Sequence, residues 1–400
     1  VLETLTPDTW YNVWVMVNTS SNTYQVWLNA DPGGAADSAD QLDNDAAETV
    51  FGFRVVGSGD LLNFFIKTGG GASPVAGQFY LDDIYMEDTD AVNLSHPPLS
   101  KADTVIDFGS IGLWGRMNDT AWLKLSNGSP DLVIVGDIDG SGQDDIVADF
   151  GSTVGGIYIK RDLGAWVKLH NFSPELMAVA DLDGNGKDDV VIDFGGIGLW
   201  ARMNDATWLK LNNSSPDLIA AGDIDGNGQD DVIADFSSTF GGIFLKRNLG
   251  GWSQLHSSSA EALATGDLDN NGKDDIVIDF GGIGLWARMN DASWLKLNNG
   301  SPDLIATGDI DANGADDVLA TFSAAAGLWV KKNLGGWSSI STSTPERLVT
   351  DDVDGNGTPD IVADFGIGGA VSGIFVRRNQ GVWIKLNNNT SEGLAIGNLD

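Results

Sequence analysis

Asp181-Leu182-Asp183-Gly184-Asn185-Gly186-Lys187-Asp188-Asp189 places oxygen-bearing side chains at positions one, three, five and nine of a nine-residue loop. Glycines at positions four and six permit the sharp turns that wrap a short loop around an ion. Alternate side-chain oxygens, with a backbone carbonyl at position seven, form a donor set for a hard cation, Ca²⁺ above all; a soft-metal site would want Cys or His. The loop occurs six times, starting at Asp137, Asp181, Asp223, Asp267, Asp309 and Asp352, with successive starts 42 to 44 residues apart. That period holds four short strands, the content of one propeller blade.

The expected ligands follow copy by copy, position seven acting through its carbonyl. They are Asp137, Asp139, Ser141, Gln143 and Asp145; Asp181, Asp183, Asn185, Lys187 and Asp189; and Asp223, Asp225, Asn227, Gln229 and Asp231. The later copies give Asp267, Asp269, Asn271, Lys273 and Asp275; Asp309, Asp311, Asn313, Ala315 and Asp317; and Asp352, Asp354, Asn356, Thr358 and Asp360. About six Ca²⁺ ions are the expected cofactors. An EF-hand begins with the same spacing but has a glutamate at position twelve and helical flanks. Here position twelve is Ala148, Ile192, Ala234, Ile278, Ala320 or Ala363, and β-branched flanks such as Asp231-Val-Ile-Ala-Asp235 read as strands. Plain Asp/Asn/Gly hairpin turns are the simpler alternative for one copy. Six copies with aspartate at all eighteen first, third and ninth positions favour the cation.

With the Asp-Phe-Gly at 149–151, 193–195, 279–281 and 364–366, the repeat resembles the FG-GAP/VCBS family, which includes integrin α-subunit propellers and many secreted bacterial proteins. The resemblance covers about three quarters of the chain and implies a β-propeller with calcium at the blade edges, without implying one activity. Departures are small: Asn270 and Ala312 replace the first glycine, Ser141 replaces Asn, Pro359 replaces Asp, and the sequences at 235–237 and 321–323 lose the Gly.

Strand-like segments around Phe108, Phe150, Phe194, Phe236, Phe280, Phe322 and Phe365 count seven blades over residues 103–400. The first lacks the strand that should precede Asp103, and Gly393-Leu-Ala-Ile-Gly-Asn-Leu-Asp400 is a spare copy of it. The expectation is that this C-terminal strand completes the first blade and closes the ring, because closure removes exposed strand edges. The alternative is an eighth blade cut at residue 400. Blades also alternate: one type carries Gly-Leu-Trp-(Gly/Ala)-Arg-Met-Asn-Asp, the other Lys-Arg or Lys-Lys before Asn/Asp-Leu-Gly.

Residues 1–88 lack the loop. Period-two segments at 11–18, 23–29, 50–56, 62–68 and 77–87 read as an incomplete β-sandwich, whose last strand resembles laminin-G-like or concanavalin-like jelly rolls. Residues 89–102 read as a linker. The fold class is therefore all-β, a seven-bladed propeller preceded by a jelly-roll-like module. The chain opens at Val1 and reads as a piece of something longer, with room for a catalytic domain upstream.

The formal charge of −35 opposes nucleic acid and anionic membrane as partners. No apolar run is long enough to span a bilayer. With no Cys, disulfides play no part and calcium is expected to take their stabilising role. Extracellular calcium modules bind at ~10⁻⁴ to 10⁻³ M, which points to a secreted or cell-surface protein.

Each blade has a Trp on what reads as its third strand: Trp122, Trp166, Trp208, Trp252, Trp294, Trp337 and Trp383. Beside them the pairs Trp114 with Arg116, Trp200 with Arg202, and Trp286 with Arg288 share a strand face, since i and i+2 point the same way. Trp stacks on sugar rings and Arg grips carboxylates or sulfates, so these six residues are candidate glycan contacts; filling the space between blades is the competing role. Catalysis has thin support: His96, His170, His256 and Tyr158 are the only candidates for a lyase base. The expected function is that of an extracellular calcium-binding propeller that binds a polysaccharide or glycoconjugate or serves as the accessory region of a polysaccharide-acting protein. The alternatives are an adhesion propeller binding an extracellular protein and a propeller polysaccharide lyase.

Overall fold

The computed structural model describes residues 12–18, 23–29, 51–52 and 101–400, save 152–153, 323–324 and 370. The chain divides into two compact units, Val1–Leu99 and Ser100–Asp400. In the first, Asn12–Asn18 pairs antiparallel with Thr23–Asn29, which pairs with Phe51–Gly52. The later sandwich strands and the linker as far as residue 100 lie outside the described residues.

The second unit is a seven-bladed propeller, each blade a four-stranded antiparallel sheet, in sequence order in blades 2 to 7. Blade 2 is typical: Leu132–Gly136 lies innermost, then Asp145–Asp149, Ile157–Lys160 and Trp166–His170 at the outer edge. Blades 3 to 7 begin at Leu176, Leu218, Ala262, Leu304 and Arg347. Blade 1 joins both ends of this unit: Gly393–Gly397 pairs with Asp103–Asp107, Gly393 opposite Asp107 and Gly397 opposite Asp103. The ring thus closes at seven, as the spare C-terminal strand predicts.

The burial pattern explains the sequence pattern. Second strands such as Asp189–Asp193 are buried throughout, because both sheet faces meet a neighbouring blade. Third strands alternate buried and half-buried residues, as in Leu199–Met203. The core is therefore a series of wedges between blades; one joins Val191, Leu199 and Leu211 of blade 3 to Val232, Ala234 and Phe236 of blade 4.

The two-blade alternation has a physical reading. Arg161 of blade 2 pairs with Asp205 of blade 3, Arg247 of blade 4 with Asp291 of blade 5, and Arg378 of blade 7 with Asp119 of blade 1. Where two blades of the same type meet, at 6 and 7, Lys332 reaches Gln380 instead. Among the described residues, no helix is long and apolar enough to cross a membrane.

Candidate metal centres and the opposite face

The six acidic loops connect the innermost and second strands, all on one face of the ring. The aspartate at position one shapes each loop: Asp181 Oδ1 accepts from the N–H groups of Gly184 and Asn185, and its Oδ2 from Gly186, at 2.7–3.1 Å. Position four must enter the left-handed region, and it does so even where glycine is absent: Asn270 has φ 56° and Ala312 φ 58°. Position-seven side chains leave their own loop. Lys187 Nζ donates to the Asp139 carbonyl at 2.5 Å, and Lys273 Nζ to the Asp225 carbonyl at 2.8 Å, each in the preceding blade.

Position nine is the buried end of the site. Asp145, Asp189, Asp231, Asp275, Asp317 and Asp360 are each at most 1% exposed. Burial pushes Asp145 up to about 7 and the other five to about 6, against hydrogen bonds from backbone N–H groups that pull the other way. In four of them, Asp145, Asp231, Asp317 and Asp360, Oδ2 is buried with no hydrogen-bond partner. A bare buried carboxylate oxygen is costly unless a proton or a cation meets it. Carboxylate groups that could hold one ion gather as Asp139, Asp145 and Asp162; Asp181, Asp183 and Asp189; Asp267, Asp269 and Asp275; and Asp352, Asp354 and Asp360. Each of the six loops thus shows a convergent acidic group, an orphaned buried oxygen, or both. These donors are all hard oxygens, and they fit Ca²⁺.

One partner is not apparent from the loop sequence. The turn between third and fourth strands starts with a left-handed Asn or Asp in every blade: Asn118, Asp162, Asn204, Asn248, Asn290, Asn333 and Asn379. Its N–H donates to the position-nine carboxylate, as Asn204 does to Asp189 at 2.6 Å. Where it is Asn, its side chain meets position three, Asn204 Nδ2 reaching Asp183 Oδ2 at 2.8 Å and Asn379 Nδ2 reaching Asp354 Oδ2 at 2.7 Å. The signal is the recurrence of Asn or Asp before Asp, Leu or Gln at that hairpin, which reads on its own as turn chemistry.

Blade 1 has a split version. Asp103 accepts from the N–H groups of Asn118 and Leu399, and Asn118 Nδ2 donates to the Asp400 carboxylate at 2.8 Å. Asp103 is pushed up to about 6, by burial first and by Asp400 and Asp144 after it.

The Trp/Arg candidates part company. Arg202 donates to the carbonyls of Ala206 and Asp205, both at 2.7 Å, and lies over the Trp208 ring; Arg116 and Arg288 repeat this at Trp122 and Trp294. These guanidiniums are committed to their own hairpins. Trp166, Trp252, Trp337 and Trp383 send their indole N–H to a carbonyl of the preceding blade, Leu125, Leu211, Leu297 and Ile340. Trp114, Trp200 and Trp286 instead are half-buried, with Lys124, Lys210 and Lys296 over their rings at 5.2–5.4 Å. His170 and His256 pack against Phe194 with Trp208 and Phe280 with Trp294, and their Nδ1 atoms accept from Phe172 and Ser258 N–H groups.

The face away from the loops is different in kind. Its second-to-third-strand turns expose Ile111, Val154, Ile197, Phe240, Ile283 and Ile367, between 44% and 71% accessible. Just before each innermost strand stands an exposed acid: Asp131, Glu175, Asp217, Glu261, Asp303, Glu346 and Glu392. Where blades 6, 7, 1 and 2 meet, this mouth holds a cavity of ≈ 320 Å³ lined by Asp131, Leu304, Arg347 and Glu392 among others.

No protein-family model matches the chain, and no curated protein does. Solved structures similar to it include BBS1N in complex with ARL6DN (11% identity, 66% of this chain and 83% of that one, TM-score 0.47). Two others are a streptogramin B lyase (13%, 67% and 91%, TM-score 0.45) and the rhamnogalacturonan lyase YesW (14%, 96% and 71%, TM-score 0.37).

Proposed function

We propose that the propeller is an FG-GAP/VCBS-type, calcium-loaded binding module of a secreted or cell-surface protein, holding about six Ca²⁺ on one face and recognising carbohydrate with the other. The observation that carries the calcium reading is the orphaned Oδ2 of Asp145, Asp231, Asp317 and Asp360, each inside a loop of hard oxygen donors. When bound, Ca²⁺ supplies the positive charge these carboxylates lack and ties each loop to the hairpin beside it.

The carbohydrate reading rests on the opposite face. Around the ring it repeats one surface unit, an exposed apolar residue at the turn, a half-buried aromatic beside it and a lysine on the outer strand: Ile111, Trp114 and Lys124, and again Ile197, Trp200 and Lys210. Aromatic and aliphatic surface suits the apolar faces of sugar rings, and the flanking carboxylates and ammonium groups suit hydroxyls. Repetition around a rigid ring gives multivalency. The acid at each blade disfavours uronate or sulfated chains and favours neutral or amino-sugar polysaccharide.

Affinity electrophoresis through gels containing neutral, amino-sugar or uronate polysaccharides tests this. Retardation by a neutral or amino-sugar chain, lost in Ile197→Ala or Lys210→Ala at unchanged melting temperature, is the expected result. Retention by none of the polysaccharides, with capture of a protein partner instead, would overturn the carbohydrate reading.

A further inference from the structure

Blade 2 departs from the other loop-bearing blades at two places that face each other. Position five of its loop is Ser141 where every other copy has Asn, and the residue opening its outer hairpin is Asp162 where every other blade has Asn. Ser141 Oγ donates to Asp162 Oδ1 at 2.7 Å, and the Asp162 N–H donates to Asp145 Oδ1 at 3.1 Å. Carboxylate oxygens of Asp139, Asp145 and Asp162 lie within 4.8 Å of one another. Asp145, fully buried, keeps its Oδ2 without a partner in that cluster.

In blade 3 the equivalent hairpin residue, Asn204, turns its amide nitrogen to Asp183 Oδ2, and Asn185 at position five reaches the Asn204 oxygen. That pairing spends the Asn204 oxygen on the Asn185 amide, while the Asn185 oxygen accepts from the Lys187 N–H. The blade 2 exchange replaces two neutral amides by a short hydroxyl and a carboxylate, so the oxygen that position five loses is returned, with charge, from the hairpin. Counting Asp137 at position one, the loop and hairpin of blade 2 carry four aspartates at the ligand positions, 137, 139, 145 and 162, against three in each other loop, and carboxylate count is one of the properties that sets Ca²⁺ affinity.

We propose that Asp162 is a calcium ligand contributed by a second loop, and that blade 2 is in consequence the tightest site of the ring. This rests on the reading of the loops as calcium sites. Its function is to lock the inner loop of blade 2 to the outer edge of the same blade, next to the blade that closes the ring.

The test is competition for Ca²⁺ against a chromophoric chelator, using the whole 400-residue chain stripped of metal. The unaltered protein should show one site at least ~10-fold tighter than the rest, the scale on which losing one partner of a metal shell is felt. Asp162→Asn should merge that site with the others, and Asn204→Asp should create a second tight one. If the unaltered protein binds Ca²⁺ but Asp162→Asn leaves the tight step in place, or Asn204→Asp adds none, Asp162 is not a ligand and the loop reading survives. If the unaltered protein takes up no Ca²⁺ at all, the loop reading fails and this inference with it.

Discussion

Asp137 and Asp188 belong to adjacent blades and hold each other by two hydrogen bonds: the Asp137 N–H donates to Asp188 Oδ2 at 2.9 Å, and the Asp188 N–H donates to the Asp137 carbonyl at 2.8 Å. The same exchange joins Asp181 to Asp230, Asp223 to Asp274 and Asp267 to Asp316. Position eight of the loops in blades 2 to 6 is thus a clasp on the blade before it, Asp144 Oδ2 accepting from the Asn398 N–H in the same way. The last residue of the innermost strand is Gly136, Gly222, Gly266 or Gly397 where the neighbour's carboxylate tucks in, and a Cβ there would run into it. Blade 7 has Pro359 at position eight, which offers neither carboxylate nor N–H.

Removing one clasp should loosen one seam. Asp188→Ala is expected to cost ~1–3 kcal/mol, because a half-buried N–H loses a charged acceptor. Amide exchange should rise first along the loops of blades 2 and 3. An unchanged melting temperature with unchanged exchange at that seam would contradict this. In the unaltered protein the seam between blades 6 and 7 should open before the others, lacking both the clasp and the Arg–Asp pair.

Ala312 sits at φ 58°, where a Cβ is unfavourable and the other copies mostly place glycine. Ala312→Gly is expected to stabilise the propeller by roughly 0.5–1 kcal/mol, the relief of left-handed strain less the added freedom of the unfolded chain. A loss of stability in chemical denaturation would show that the loop relies on the methyl group.

Protons and calcium should compete at position nine. Burial raises Asp145 to about 7 and its five counterparts to about 6, above the ordinary carboxylate value near 4. A raised pKa means that the ion-free fold favours the proton: its stability from these groups is full below about pH 4 and is lost as pH rises through 6 to 7. The ion needs the ionised form, so Ca²⁺ affinity should climb from pH 5 to 7 and level off by about pH 8. Affinity measured at pH 5.5, 7 and 8 checks this; equal values would mean that position nine is not a ligand.

Ring closure should depend on the last strand. Removing residues 393–400 strips Asp103–Asp107 of its partner and bares Val105 and Ile106, both fully buried in the intact ring. An unpaired apolar edge recruits other strands, so the shortened chain is expected to aggregate by light scattering. A monomer with the same melting temperature would show that the strand is dispensable.

Repetition made most of this fold legible in the sequence. The period, the acidic loops, the seven blades and the strand left over at 393–397 all follow from local patterns repeated in register. The contacts of the outer hairpin were not legible, because Asn204 and Asp183 are 21 residues apart and meet only after the blade has folded back on itself. Position eight was likewise only an extra acid, since its partner lies in another blade. The two roles of arginine, capping its own hairpin at 202 and crossing to the next blade at 161, depend on which blade type sits alongside.

Calcium uptake tests the central claim most directly. Protein stripped with EDTA and dialysed should take up about six Ca²⁺ per chain in equilibrium dialysis. Its melting temperature should rise by roughly 10 °C or more, since each site adds ~2.7 kcal/mol when the ion stands at about a hundred times its Kd. Uptake of no calcium, with the same melting temperature in EDTA and in millimolar Ca²⁺, would contradict the account.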